Sequence, residues 1–334
     1  MANLFSRGPR ERADIAIDLG TANTRVIARG AGVRFDEPSL CCFADDGVRS
    51  KLVAVGNAAR GMKDRTSGAL QVRHPLARGV LQDIDAAREL LKFAVSSSTG
   101  RRRFAAPDTI IGVPADATKA ECAALHTAAA DAGLRKVRLV REPLAAAWGA
   151  DLPVNEPTGS LIVECGAGTT EVGVFSLGGF CLTRSVRGGG AALDAAITAY
   201  IHMQHQFLIG EPTAERLKKE LADLLVLGGA EQTPVEIKGR SLRDGKPGIL
   251  TLSASEFRPV VTKHSRQIAE LVRQVLSETP AQLSHDICDS GIVLTGGSAF
   301  PMIAETISGE TGLSAIITDD KEHCVTRGLA AMLG

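Results

Sequence analysis

Ile15-Ala-Ile-Asp18-Leu-Gly20-Thr-Ala-Asn-Thr24-Arg-Val26, near the start of the chain, is matched in plan by Ile162-Val-Glu164-Cys-Gly166-Ala-Gly168-Thr169-Thr170-Glu-Val172 in its middle. Each is an apolar strand, a carboxylate, a turn rich in Gly, Thr and Asn, and a second apolar strand. Aligned on the carboxylate, Asp18 falls on Glu164, Gly20 on Gly166, Thr24 on Thr170 and Val26 on Val172. The repeat implies two related half-molecules. Glycine lets the backbone come close to a ligand, and such a turn presents several N–H groups to one point, a concave anion site. Two of these hairpins facing each other grip a polyphosphate from both sides and leave the carboxylates to hold a hydrated Mg²⁺. A single strand–Asp–Gly turn is common and carries little weight alone; the aligned pair is what points to a nucleotide.

A third turn, Thr295-Gly296-Gly297-Ser298, ends the apolar run Ile292-Val-Leu and leads into a helix, a suitable place for a nucleotide. No Gly-x-x-x-x-Gly-Lys-Ser/Thr run is present, so the chemistry is not that of a P-loop. Between the hairpins, Thr109–Val113 reads as a buried strand and Ala117–Ala132 as an Ala-rich helix closed by Gly133. Val137–Val140 is the next strand and runs into Arg141-Glu142-Pro143, where Pro143 suits the first helical position. Alternation of this kind indicates α/β layers with parallel strands. Glu142 therefore stands at a strand end beside a helix N-terminus, where open α/β sheets place their ligands.

At 334 residues the chain is long enough for two cored lobes. Lys+Arg 38 balance Asp+Glu 38, so no global field recruits nucleic acid, and an aromatic content of 4% argues against a base-stacking surface. Seven cysteines lie scattered without a Cys-x-x-Cys pair, the usage of a reducing cytoplasm. His202 and His205 share helical spacing without a nearby acidic or Cys partner in sequence, and read as surface helix. No apolar run approaches the roughly 20 residues of a membrane span. Leu4 and Phe5, beside Arg7, Arg10 and Arg12, are suited to dip into an anionic membrane surface.

With these motifs in view, the chain resembles the actin-like ATPases and, within them, the bacterial actin MreB family. Ala16-Ile-Asp18-Leu-Gly20-Thr-Ala-Asn-Thr24, Glu37-Pro38-Ser39, Glu142-Pro143-Leu-Ala-Ala-Ala, Leu152-Pro-Val-Asn-Glu-Pro-Thr-Gly159, Gly168-Thr-Thr-Glu-Val172, Leu208-Ile-Gly-Glu211, Thr213-Ala-Glu215-Arg and Leu294-Thr-Gly-Gly297 all look like motifs of that family, in order from Ile15 to the C-terminus. The resemblance implies an α/β, actin-like (ribonuclease H-like) two-lobed fold with four subdomains and a nucleotide cleft. The expected division is a first domain over residues 14–150, with a small insertion over about 34–69 and completion by 315–334. A second domain follows over 151–314, with an insertion over about 181–255.

Carried over by residue, the resemblance implies that Gly20, Thr21, Ala22 and Asn23 cradle phosphates, and that Asp18 approaches Mg²⁺ through water. Gly166, Gly168, Thr169 and Thr170 form the second phosphate turn. Glu142 and Thr169 place the hydrolytic water, and Glu164 helps hold it and the metal's water shell. Glu215 and Lys218 lie near the ribose and adenine, with Gly296 and Gly297 supporting the adenosine. The implied cofactors are ATP/ADP and Mg²⁺. The implied activity is slow ATP hydrolysis coupled to polymerisation, in membrane-associated filaments that organise cell shape and wall synthesis. The implied partners are further copies of the chain, the inner membrane surface through Leu4, Phe5 and Phe104, and MreC, RodZ and wall-elongation proteins, in the cytoplasm beneath that membrane. Two other functions share the fold: a paralogue that caps or co-assembles with filaments with little ATPase activity, and a small-molecule kinase, for which no substrate-binding insertion is found.

The chain departs from the family pattern at three places. Glu164-Cys-Gly166-Ala-Gly168-Thr-Thr170 replaces Asp-x-Gly-Gly-Gly-Thr-Thr, Arg141 replaces an acidic residue before Glu142-Pro143, and Gly190-Ala191 replaces Gly-Asp. The expectation is ordinary ATP affinity with slow hydrolysis.

Overall fold

The computed structural model describes residues 14–45, 50–99, 107–226 and 230–333. Leu4, Phe5 and the 101–104 loop with Phe104 lie outside them.

Two five-stranded sheets carry the architecture. In the first, the order is Arg135–Arg141, Asp108–Val113, Ile15–Leu19, Asn23–Ala28, Gly32–Pro38. The last three form an antiparallel meander, and Asp108–Val113 runs parallel to both Ile15–Leu19 and Arg135–Arg141. The central strand is apolar on both faces because helices cover both. Ile15 and Ile17 pack with Leu90, Leu91 and Leu125 of helices Ile84–Thr99 and Lys119–Asp131, while the alternate Ala16 packs with Ala145 and Leu329 on the other side. The second sheet repeats the plan in the order Gly179–Arg187, Thr169–Ser176, Ser160–Cys165, Ile292–Thr295, Ala315–Ile317. Leu161, Val163, Val172 and Val174 face helices Gly190–His205, Arg258–Glu278 and Pro301–Thr311.

Helix Glu142–Gly149 lies between the two sheets. Ala145 joins the first core, and Ala146 and Ala147 join the second with Ile162 and Phe175. Its small side chains admit helix Cys324–Ala331 at backbone contact: a Cβ on Gly328 would stand 1.8 Å from the Ala145 carbonyl oxygen, and one on Gly149 would stand 1.8 Å from that of Cys324. Neither backbone can retreat without unpacking a core. Gly328→Val is therefore expected to cost about 3 kcal/mol of stability through overpacking, read as a lowered urea midpoint; an unchanged midpoint contradicts this crossing.

Two smaller sheets sit beside the main ones: Ser50–Val55, Cys41–Asp45, Leu70–Arg73, and Phe207–Leu208, Pro234–Ser241, Pro247–Ser253. Their edges differ from the expected insertions for a physical reason. Gly32–Pro38 remains hydrogen-bonded to Asn23–Ala28. Gly179–Arg187 stays in the second main sheet because Leu177 and Gly178, at φ 52° and 79°, close a tight hairpin with Thr169–Ser176. Ala315–Ile317, expected with the first domain, pairs with Ile292–Thr295 in the second sheet, and only helix Cys324–Ala331 returns to the first. No helix among the described residues is long and apolar enough to cross a membrane.

Candidate functional site

The repeat in the sequence is also a repeat in geometry. Gly20 N–H donates to the Asn23 carbonyl at 3.0 Å, and Gly166 N–H donates to the Thr169 carbonyl at 2.9 Å, so each turn is closed by the same bond at the aligned position. A Cβ on Gly20 would stand 2.8 Å from the Asn23 oxygen, which explains the glycine. Ser39, in the Glu37-Pro38-Ser39 segment, buttresses the first turn: its hydroxyl donates to the Gly20 carbonyl at 2.6 Å and lies 2.8 Å from the Thr24 hydroxyl. The second turn is fixed by the start of helix Gly190–His205. Gly188, Gly190 and Ala191 donate their N–H groups to the carbonyls of Gly168, Gly166 and Ala167 at 2.8–2.9 Å.

The turns meet face to face. A Cβ on Gly168 would stand 2.2 Å from the Thr21 hydroxyl and 2.6 Å from the Gly79 nitrogen, and Gly79 N–H donates to that hydroxyl at 3.2 Å. The Arg78-Gly79 turn, with φ of 51° and 75°, thus wedges between the two halves. One cleft results. Gly20, Thr21, Ala22 and Asn23 line it from the first turn, and Gly166, Gly168 and Thr169 from the second. Asp18, Glu142 and Glu164 form its floor of carboxylates, and Glu215, Lys218, Gly296 and Gly297 complete it. Thr170 alone among the expected residues stays out: strand alternation turns it away from Thr169, and it is 1% exposed. Lys218 donates to Asp194 at 2.8 Å and to the Gly190 carbonyl at 3.2 Å, tying its helix to the one behind the second turn. Gly296 N–H and the Thr295 hydroxyl both donate to the Lys321 carbonyl, at 2.7 and 2.9 Å, holding the third turn.

Across the mouth of the cleft the two halves are clasped by ion pairs. Arg60 pairs with Glu215 at 3.3 Å and Lys63 with Glu211 at 2.5 Å. Helix Glu211–Leu224 has no side-chain cap of its own; Asp64 supplies one from the opposite half, accepting the Glu211 N–H at 3.0 Å. Glu215 therefore lines the cleft with a carboxylate already shared between Arg60 and Lys219.

Several residues of the cleft escaped the sequence reading. Arg25, Gly79, Lys321 and Glu322 line it. Glu171 lies behind it, fully buried, accepting from the Ala115 N–H of the other half at 2.6 Å and from the Ser185 hydroxyl at 2.7 Å. Its alternation with Thr170 along the strand was a legible signal, since residues two apart share a face. Oxygens of Glu142, Glu164 and Glu171 fall within 4.8 Å of one another. One oxygen each of Glu164 and Glu171 has no hydrogen-bond partner among the described residues. Oxygen-only donors with an unpartnered buried carboxylate facing a glycine turn fit a hydrated hard cation such as Mg²⁺.

Burial shifts these carboxyls toward the protonated form. Desolvation, then the charges of Glu171, Glu164 and Asp18, raise Glu142 well above its ordinary value. Desolvation, then Glu171 and Asp18, do the same to Glu164. Glu171, also chiefly desolvated, is pushed up to about 7. An unfolded chain releases such protons near 4.5, so between that value and 7 the folded protein binds more of them. The nucleotide-free protein is thus expected to be most stable below about pH 4.5 as far as these groups are concerned, and to lose that contribution as pH rises through about 7. Melting temperatures measured from about pH 5 to 8.5 should fall, and to a lesser degree when Mg·ATP is present; a steady rise contradicts the clustering.

Comparison with known proteins agrees with the geometry. The MreB/Mbl protein family model matches residues 12–334. The chain belongs to the MreB/Mbl family. Among curated MreB/Mbl relatives, the cell shape-determining protein MreB of Pasteurella multocida is 38% identical over 321 residues, 94% of this chain and 91% of that one. MreB of Escherichia coli is 38% identical over 319 residues, with the same coverage. Among solved structures, MreB 5 of Spiroplasma citri bound to AMPPNP superposes with a TM-score of 0.88 at 32% identity, covering 96% of this chain and 95% of that one. The fold is actin-like.

Proposed function

We propose that this chain binds ATP with Mg²⁺ in the cleft between its two main sheets and assembles with copies of itself into filaments that act in cell shape. Its class, a bacterial actin-like cytoskeletal protein, follows from membership of the MreB/Mbl family. The observation that carries the nucleotide reading is the meeting of two identically closed glycine turns at Thr21 and Gly168 above three carboxylates. The turns offer backbone N–H groups to the phosphates, and Asp18 and Glu164 would hold the metal's water. Glu142 and Thr169 place the attacking water. The two main sheets, each with its own small sheet, are the two domains of the actin-like plan, and the ion clasp at Glu211 and Glu215 closes them over the nucleotide.

One observation favours slow turnover, and with it the reading as a co-assembling or capping paralogue. Burial, then the charges of Glu171 and Glu164, push Glu142 toward the protonated form, in which it cannot accept the proton of the attacking water. Phosphate release measured beside sedimentation separates the readings. Assembly with slow release supports the filament. Binding without self-assembly, but with incorporation into filaments of a relative, supports the paralogue. Phosphorylation of a metabolite overturns both.

Membrane contact rests on sequence alone. Leu4, Phe5 and the 101–104 loop with Phe104 each contribute weakly, at roughly 1 kcal/mol per basic residue near an anionic surface. A filament multiplies such contacts. Deleting residues 1–5 is expected to reduce co-sedimentation with anionic liposomes several-fold; binding that persists and ignores salt contradicts this anchor. MreC, RodZ and the wall-elongation proteins are the partners to test next.

A further inference from the structure

Arg25 stands directly opposite Asp18 in the register of the first hairpin, so both side chains leave the same face of the sheet. Arg25 is only 9% exposed yet lines the cleft. Its Nη1 lies 3.6 Å from Asp18 Oδ2 and donates to the Glu322 carbonyl at 3.2 Å, and its Nε lies 3.1 Å from Asp36 Oδ2. Asp18 Oδ2 also accepts from the Thr326 hydroxyl at 2.8 Å. One oxygen of Asp18 is thus committed twice, and its charge is met in part by a guanidinium that Asp36 shares.

A triphosphate entering this cleft meets Asp18, Glu142 and Glu164, and a divalent metal is what ordinarily offsets that repulsion. Here part of the offset is built into the protein. We infer that Arg25 is a resident cation of the phosphate site, partly offsetting the charge of Asp18 so that nucleotide is held with weak dependence on divalent metal. The inference rests on the nucleotide reading above. Glu164, with its unpartnered oxygen, would then carry most of the remaining attraction for the metal's water shell.

The test is the affinity for ATP, by calorimetry on the full chain, in excess Mg²⁺ and again in excess EDTA. For the wild-type protein the two dissociation constants should differ by less than about tenfold, where a site relying on the metal to offset its carboxylates loses far more. In Arg25→Met, which keeps the volume and removes the charge, the ratio should widen to about 100-fold, and Arg25→Lys should bring it back toward the wild-type value. A wild-type ratio above tenfold, or a ratio in Arg25→Met no wider than in wild type, overturns the inference while leaving ATP binding intact. ATP binding in neither condition overturns the nucleotide reading itself. The wild-type ratio needs no variant to fold, and thermal melts of both variants accompany the comparison.

Discussion

Gly168→Ala is expected to weaken ATP binding by up to about 100-fold and to abolish assembly with it. The new Cβ would stand 2.2 Å from the Thr21 hydroxyl and 2.6 Å from the Gly79 nitrogen, and the second of these is backbone. The turn cannot draw back, because its carbonyl at Gly168 accepts the Gly188 N–H at 2.8 Å and its neighbours hold the start of the following helix. The strain is relieved only by parting the two halves, which takes the turns off the same phosphates. Overpacking of this kind costs about 1–3 kcal/mol, and the upper end corresponds to about 100-fold in affinity. Gly61→Ala is the control, since nothing lies within 4 Å of its Cβ position. Calorimetry on both variants decides it: an affinity in Gly168→Ala within threefold of wild type would show that the turns do not act together.

Glu164→Asp is expected to speed phosphate release about tenfold while changing ATP affinity little. Two effects act in the same direction. Withdrawing the carboxylate by one methylene moves it away from Glu142 and Glu171, whose charges it now opposes within 4.8 Å, so Glu142 ionises more readily. It also restores the shorter reach on which positioning of the metal's water depends, where about 1 Å can change a rate on the order of 100-fold. The charge presented to Mg²⁺ is unaltered. Phosphate release under assembling conditions that stays the same or slows in this variant contradicts the account of slow turnover.

The two-sheet plan was legible because the hairpin repeat recurs at the level of single residues, down to the bond that closes each turn at Gly20 and Gly166. Of the site residues, the glycines and Asp18 could be read from the chemistry of such turns, whereas the roles of Glu142 and Thr169 came from family resemblance. What escaped was created by contacts between distant segments. Arg78-Gly79 reads as an ordinary turn, and only the fold brings it between Thr21 and Gly168. Arg25 looks like a surface charge on a strand until the register sets it against Asp18. Glu171 looks solvated until the second sheet buries it. Arg141, which stands where relatives are expected to be acidic, donates to the carbonyls of Pro114 and Ala117 at 2.7 and 3.2 Å. It thereby holds the same loop that Glu171 grips through Ala115. Gly32–Pro38 and Gly179–Arg187 pair with the main sheets rather than the small ones, a choice of partner that the turn residues beside them do not disclose.

The central claim is that nucleotide in this cleft drives self-assembly, and electron microscopy of the purified chain tests it most directly. With Mg·ATP, with and without anionic lipid, the protein should form filaments that are absent from the nucleotide-free sample and from Gly168→Ala under the same conditions. Protein that binds Mg·ATP stoichiometrically and remains monomeric at high concentration, with and without lipid, would contradict it.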